Sequence, residues 1–145
     1  MRPVAGSPRS WADNARLAPA RITAVLRAVA RADGAVLVHC AGGRDRTGMI
    51  CAMLLDLAGA TADAIADEWR GAGAYAGHGC VYHSGRQAWR EQYRPPAGAG
   101  QLRRELAERE PALREWIRAF DTAGYLASNG LTGHDIGALK ALLRL

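Results

Sequence analysis

Only one stretch of this 145-residue chain, Ala35-Val36-Leu37-Val38, reads as a buried strand, and it runs directly into a glycine-bearing turn. The ten residues that follow are His39-Cys40-Ala41-Gly42-Gly43-Arg44-Asp45-Arg46-Thr47-Gly48. From Met49 to Ala58 the chain is apolar on every side, the pattern of a buried helix. A strand, a tight glycine turn and a helix N-terminus together make an anion site. Backbone N–H groups converge there, and the positive end of the helix dipole faces the same point. Cys40 stands where a phosphate would sit.

The residues of the turn suit that chemistry one by one. A free thiol has a pKa of about 8.5, and convergent N–H groups with a nearby guanidinium depress it by stabilising the thiolate. Cys40 is then a nucleophile that needs no separate base. Arg46 offers a planar fork for two equatorial oxygens of a phosphoryl group and can follow them into the transition state. Gly42 and Gly43 allow φ > 0 and bring the backbone close to those oxygens; Ala41 and Arg44 complete the substrate-binding turn. Thr47 can turn its hydroxyl toward Cys40 and help the thiolate leave. His39 shapes the turn through hydrogen bonds, and Gly48 supports it. A Walker phosphate loop is excluded, because it needs a lysine after its last glycine and Met49 follows Gly48. A rhodanese-type loop does not usually want an arginine six positions on followed by Thr-Gly.

The His-Cys-x5-Arg-Thr-Gly pattern resembles the signature loop of the cysteine-dependent protein tyrosine and dual-specificity phosphatases. With a basic residue and an aspartate before the arginine, it is similar to the bacterial branch that includes lipid-active tyrosine phosphatases. That branch usually reads His-Cys-x-x-Gly-Lys-Asp-Arg-Thr-Gly, and this chain has Arg44 at the lysine position. The resemblance extends to Ala52–Leu55, Leu57–Ala60 and Ala66–Trp69, and more weakly to Tyr125–Leu131. It implies an α/β domain with a strand–phosphate loop–helix core and a helix-rich C-terminal half. Residues 1–145 are then expected to form a single phosphatase-like domain, its C-terminal portion, with an incomplete sheet. The expected activity is phosphate monoester hydrolysis through a cysteinyl-phosphate, on phosphotyrosine proteins first and phosphoinositides second. A catalytically silent phosphate-binding remnant is the alternative from another class.

The leaving oxygen needs a proton. The resemblance points to Asp45 as its source, although Asp45 would equally serve to brace an arginine of the turn. Trp11-Ala12-Asp13 vaguely echoes the acid loop of related phosphatases but lacks its proline, so Asp13 reads better as a solvated residue or a helix cap. No metal or other cofactor is expected, because Arg46 and the amides of the turn supply the charge stabilisation.

Composition sets looser bounds. The net charge of +5 suits anionic partners, yet Lys140 is the sole lysine and no basic run forms a nucleic-acid tract. Three cysteines without an even framework suggest a reducing compartment, and no long apolar run suggests an integral membrane segment, so a cytoplasmic protein is expected. Cys51 lies eleven residues beyond Cys40, about 16 Å at helical rise, too far for a disulfide. His78, Cys80 and His83 are close in sequence but lack a fourth metal ligand and read as loop residues.

Elsewhere helices dominate. Ile22, Val25, Leu26 and Val29 mark an amphipathic helix over Pro19–Ala32, and Thr61 caps a helix through Trp69. Residues 71–100 are glycine-rich and read as a surface loop with a short helix at Gln87–Tyr93. Leu102–Glu108, Pro111–Thr122 and Thr132–Leu143 complete the tail, the last with a Thr132–Asp135 capping arrangement. Trp69, Trp89 and Trp116 read as packing anchors, while Asp63, Asp67 and His134 read as solvated positions.

Overall fold

The computed structural model describes residues 8–40, 45–75, 80–81, 92–93 and 99–142. A 3₁₀ turn at Pro8–Ser10 leads into α1 (Trp11–Leu17), followed by α2 (Pro19–Ala30), α3 (Asp45–Leu57) and α4 (Ala62–Tyr75). A two-residue antiparallel pair, β1 (Cys80–Val81) with β2 (Gln92–Tyr93), precedes α5 (Ala99–Ala119), α6 (Thr122–Ser128) and α7 (Gly133–Leu142).

The local signals explain where these helices begin and end. Pro19 opens α2 at its first position, where its missing N–H costs nothing. Thr61 accepts from the Ala64 N–H at 3.2 Å and caps α4. Asp121 accepts from the Gly124 N–H at 2.9 Å and starts α6. Gly59 and Gly130 end α3 and α6 with φ of +86° and +91°, and both helices close with a bond from two residues beyond the cap, Ala60 N–H to Leu55 O and Leu131 N–H to Leu126 O, each 3.0 Å. At α7 the Thr132 hydroxyl accepts from the Asp135 N–H at 3.1 Å while Asp135 accepts from the Thr132 N–H at 3.2 Å, a reciprocal cap.

The α3 helix packs against α4, α6 and α7, while α2 lies on α1 and α7 and α5 lies on α4 and the 3₁₀ turn. Their shared core includes Trp11, Leu26, Met53, Ile65, Leu113, Leu126 and Leu139, all fully buried. Each such large apolar side chain contributes roughly 1.5–3 kcal/mol relative to exposure. An aromatic row adds shape: Trp11 meets Trp116 edge-on at 5.2 Å, and Trp116 stacks on Phe120 at 4.5 Å. Two long-range hydrogen bonds tie the tail to the start of the chain, Tyr125 hydroxyl to Ala15 O and Arg27 guanidinium to Gly130 O, each 2.8 Å.

The α/β expectation is not met: among the described residues the only strands are the short antiparallel pair, and the rest of the regular structure is helical. Ala35–Val38 has no regular secondary structure and joins no ladder among the described residues, with Leu37 86% exposed and Val36 45% exposed. The physical reason is that an extended run becomes a strand only beside a neighbour that takes up its N–H and C=O groups. Val38 alone reaches the core.

Other differences are smaller. Val25 is 41% exposed, so the buried stripe of α2 is Ile22, Leu26 and Val29. The α4 helix runs on through Gly71 to Tyr75, and Gln92–Tyr93 is a strand where a helix end was expected. Leu102–Glu108 and Pro111–Ala119 are not two helices but parts of one, with Pro111 inside, and Thr122 instead opens the next helix, α6. An internal proline typically costs about 3 kcal/mol. Here Leu106, Leu113 and Trp116 all bury on the same helix, which offsets that cost.

Candidate active site

Cys40 ends the irregular segment that follows α2, and Asp45 is the first residue of α3. The Cys40 thiol is half-buried and free of any disulfide, and His39 beside it is exposed. The first turn of α3 carries Asp45, Arg46, Thr47 and Gly48 in succession. A carboxylate in this turn is favoured by the helix dipole. Arg46 is exposed, so its guanidinium is open to an anion arriving from solvent. Thr47 is half-buried, and its hydroxyl oxygen is buried with no hydrogen bond among the described residues. Ala41, Gly42, Gly43 and Arg44, the remainder of the expected anion cradle, lie outside the described residues.

The turn is held from behind by two indoles. A Cβ on Gly48 would meet Trp69 Cδ1 at 3.3 Å and Trp11 Cζ2 at 3.4 Å, closer than most real Cβ contacts. Trp69 is 5% exposed and Trp11 fully buried, so neither ring has solvent to retreat into. Glycine at this position therefore has a packing reason, close approach of the helix to two rings, besides any role in the turn. Trp69 and Trp116 are the buried anchors that the sequence suggests, whereas Trp89 lies outside the described residues.

The remaining titratable groups separate from this turn. Burial pushes the Cys51 thiol up, and the nearby Glu68 charge adds to the rise, so Cys51 is a packed thiol of low reactivity. Asp13 is exposed on α1 and pairs with Arg16 at 3.2 Å. Asp67 is exposed beside Arg70, and His134 is exposed on α7. Asp63 is solvent-facing but is also bonded to Arg114 of α5, which holds its carboxyl below the usual range. Arg114 in turn bonds Glu110 at 2.8 Å. That bridge between α4 and α5 carries no local sequence signal, since its partners are 51 residues apart. Among the described residues no group of histidine, cysteine and carboxylate side chains could hold a metal ion. His78 and His83 lie outside the described residues. No described helix is long and apolar enough to cross a membrane.

Comparison with known proteins bears on the same turn. The profile of a family described as "Tyrosine phosphatase family" matches residues 5–144. A tyrosine-protein phosphatase from Nostoc commune is 64% identical over 33 residues, a match that covers 23% of this chain and 11% of that relative. No solved structure matches the chain.

Proposed function

The chain belongs to the tyrosine phosphatase family, and from that premise we propose that it hydrolyses phosphate monoesters through a cysteinyl-phosphate on Cys40. The observation that carries this reading is the order of groups on one short path. A half-buried thiol closes the irregular segment after α2, and an acid, an arginine and a hydroxyl occupy the first turn of the following helix.

In the first step the Cys40 thiolate attacks phosphorus and the bond from phosphorus to the ester oxygen breaks. That oxygen takes a proton from Asp45. Arg46 holds two equatorial phosphoryl oxygens with its fork, and the N-terminal dipole of α3 favours their growing charge. In the second step water attacks phosphorus, Asp45 accepts its proton, and the sulfur–phosphorus bond breaks to return the thiolate. The Thr47 hydroxyl hydrogen-bonds the departing sulfur. No step calls for a metal or other cofactor.

Phosphotyrosine is the preferred substrate, because its phenoxide leaves with modest help from an acid; phosphoinositides are second, on the basic residue that precedes Asp45 in the sequence. Residues 1–145 act as one such domain in this reading. Three cysteines, one of them in a reactive motif, fit a reducing compartment such as the cytoplasm. The exposed, unladdered Ala35–Leu37 segment favours a second reading, oxyanion binding without turnover, because the nucleophile then sits on a weakly braced segment. Hydrolysis of p-nitrophenyl phosphate in the presence of chelator, inhibited by vanadate, decides between them. Turnover supports the phosphatase. Vanadate binding without turnover supports the silent oxyanion binder.

A further inference from the structure

We propose that Trp69 is a positioning residue for the first turn of α3, setting the reach of Arg46 and Thr47 by packing beside Gly48. The proposal rests on the phosphatase reading and names the side chain that aims its arginine.

Three helices meet at Gly48. Trp69 comes from α4 and Trp11 from α1, and both face a backbone position two residues after Arg46 on α3. The Trp11 ring is itself fixed, because it packs edge-on against Trp116 at 5.2 Å with an interplanar angle of 86°. Both rings occupy the side of Gly48 where a Cβ would stand, Trp69 at 3.3 Å and Trp11 at 3.4 Å from that point, so the Trp69 ring packs directly beneath the first turn of α3 and a change in it alters the support of that turn. Arg46 and Thr47 ride on that turn. A misplacement of about 1 Å can cost on the order of 10²-fold in rate, because a fork aimed at the transferring group gains little when off target.

A ring that only fills the core would change the amount of folded protein. A ring that aims the turn changes binding of the transition-state shape in each folded molecule. The test compares inhibition of p-nitrophenyl phosphate hydrolysis by vanadate, which takes the five-coordinate shape, with inhibition by inorganic phosphate. It uses the unsubstituted chain, Trp69→Leu, Trp69→Phe and Arg31→Gln, the last a destabilised control at the contact of α2 with α7. Trp69→Leu is expected to weaken vanadate inhibition and lower kcat by about tenfold or more, and phosphate inhibition by less than about threefold. Trp69→Phe is expected to recover part of the loss, and Arg31→Gln to keep the unsubstituted constants. If Trp69→Leu does not fold, Trp69→Phe carries the test with a loss of about threefold or more in kcat. Unsubstituted vanadate and kcat values in the folded Trp69 variants would overturn the positioning role. An unsubstituted chain that neither turns over nor binds vanadate would overturn the phosphatase reading, and this role with it.

Discussion

Arg31 and Asp135, 104 residues apart in sequence, meet through two hydrogen bonds of 2.8 and 3.2 Å, Nε to Oδ1 and Nη2 to Oδ2. Arg31 stands at the C-terminal end of α2 and Asp135 in the first turn of α7. The same carboxylate accepts from the Thr132 N–H and hydroxyl, so one buried group closes a helix cap and pins two helices together. Arg31 and the Thr132 donors hold the Asp135 carboxyl well below the usual range.

That depressed pKa sets the acid limb of stability. The unfolded carboxyl titrates near about 3.9, so as pH falls the unfolded chain takes up the proton before the folded one does. The contribution is complete above about pH 5 and is lost progressively below the unfolded value. Urea midpoints measured from pH 7 to pH 3 are expected to fall on the acid side. Asp135→Asn is expected to lower the midpoint at pH 7, with the gap to the unsubstituted chain beginning to narrow below about pH 4. A constant gap between the two across that range would contradict the assignment.

Glycine substitution separates packing from helix propensity. Gly137 is exposed on α7 with open space where a Cβ would stand, so Gly137→Ala is expected to stabilise by up to about 1 kcal/mol. Gly48→Ala gains the same propensity but forces a Cβ against two buried indoles. It is expected to destabilise by roughly 1 kcal/mol net, since overpacking costs about 1–3 kcal/mol. Urea denaturation of the two variants checks the opposite signs.

The role of Asp45 is read from the leaving group. A p-nitrophenolate departs with little help from an acid, whereas an alkyl or inositol oxygen must be protonated as its bond breaks. Asp45→Asn is expected to slow alkyl phosphates more than p-nitrophenyl phosphate and to flatten the limb of the pH–rate profile that reports the acid. Asp13→Asn is expected to be nearly silent, because Asp13 is solvent-exposed beside Arg16. Equal slowing of all substrates by Asp45→Asn would leave it only a brace for the turn.

Arg46→Lys keeps the charge and loses the fork. Its kcat/KM is expected to fall by well over tenfold, the equivalent of more than about 1.4 kcal/mol of transition-state stabilisation. A smaller loss would mean that Arg46 is not aimed at the transferring group.

What the sequence made legible follows the reach of each signal. Pro19, Thr61 and the Thr132–Asp135 pair act within one helical turn, and all three mark helix starts in the structure. The order Cys40, Asp45, Arg46, Thr47 was equally readable, since it lies in eight consecutive residues. Ala35–Val38 misled because its composition favours extension, while a ladder depends on a neighbour elsewhere. Pro111 misled because the burial of Leu113 and Trp116 outweighs a local breaker. Arg31–Asp135, Asp63–Arg114 and the contact of Trp69 with Gly48 join distant positions, and no spacing rule announces them. For the last, the one trace was a glycine between the polar first turn of α3 and its apolar run.

The central claim, covalent catalysis by Cys40, is met most directly by acid-quenched turnover of a radiolabelled aryl phosphate without added metal, in the unsubstituted chain and in Cys40→Ser. Label is expected on Cys40 in the unsubstituted chain. Cys40→Ser is expected to lose turnover and retain vanadate binding, because the hydroxyl is a far weaker nucleophile in an unchanged turn. Appreciable hydrolysis by Cys40→Ser, or label on another residue, would contradict it.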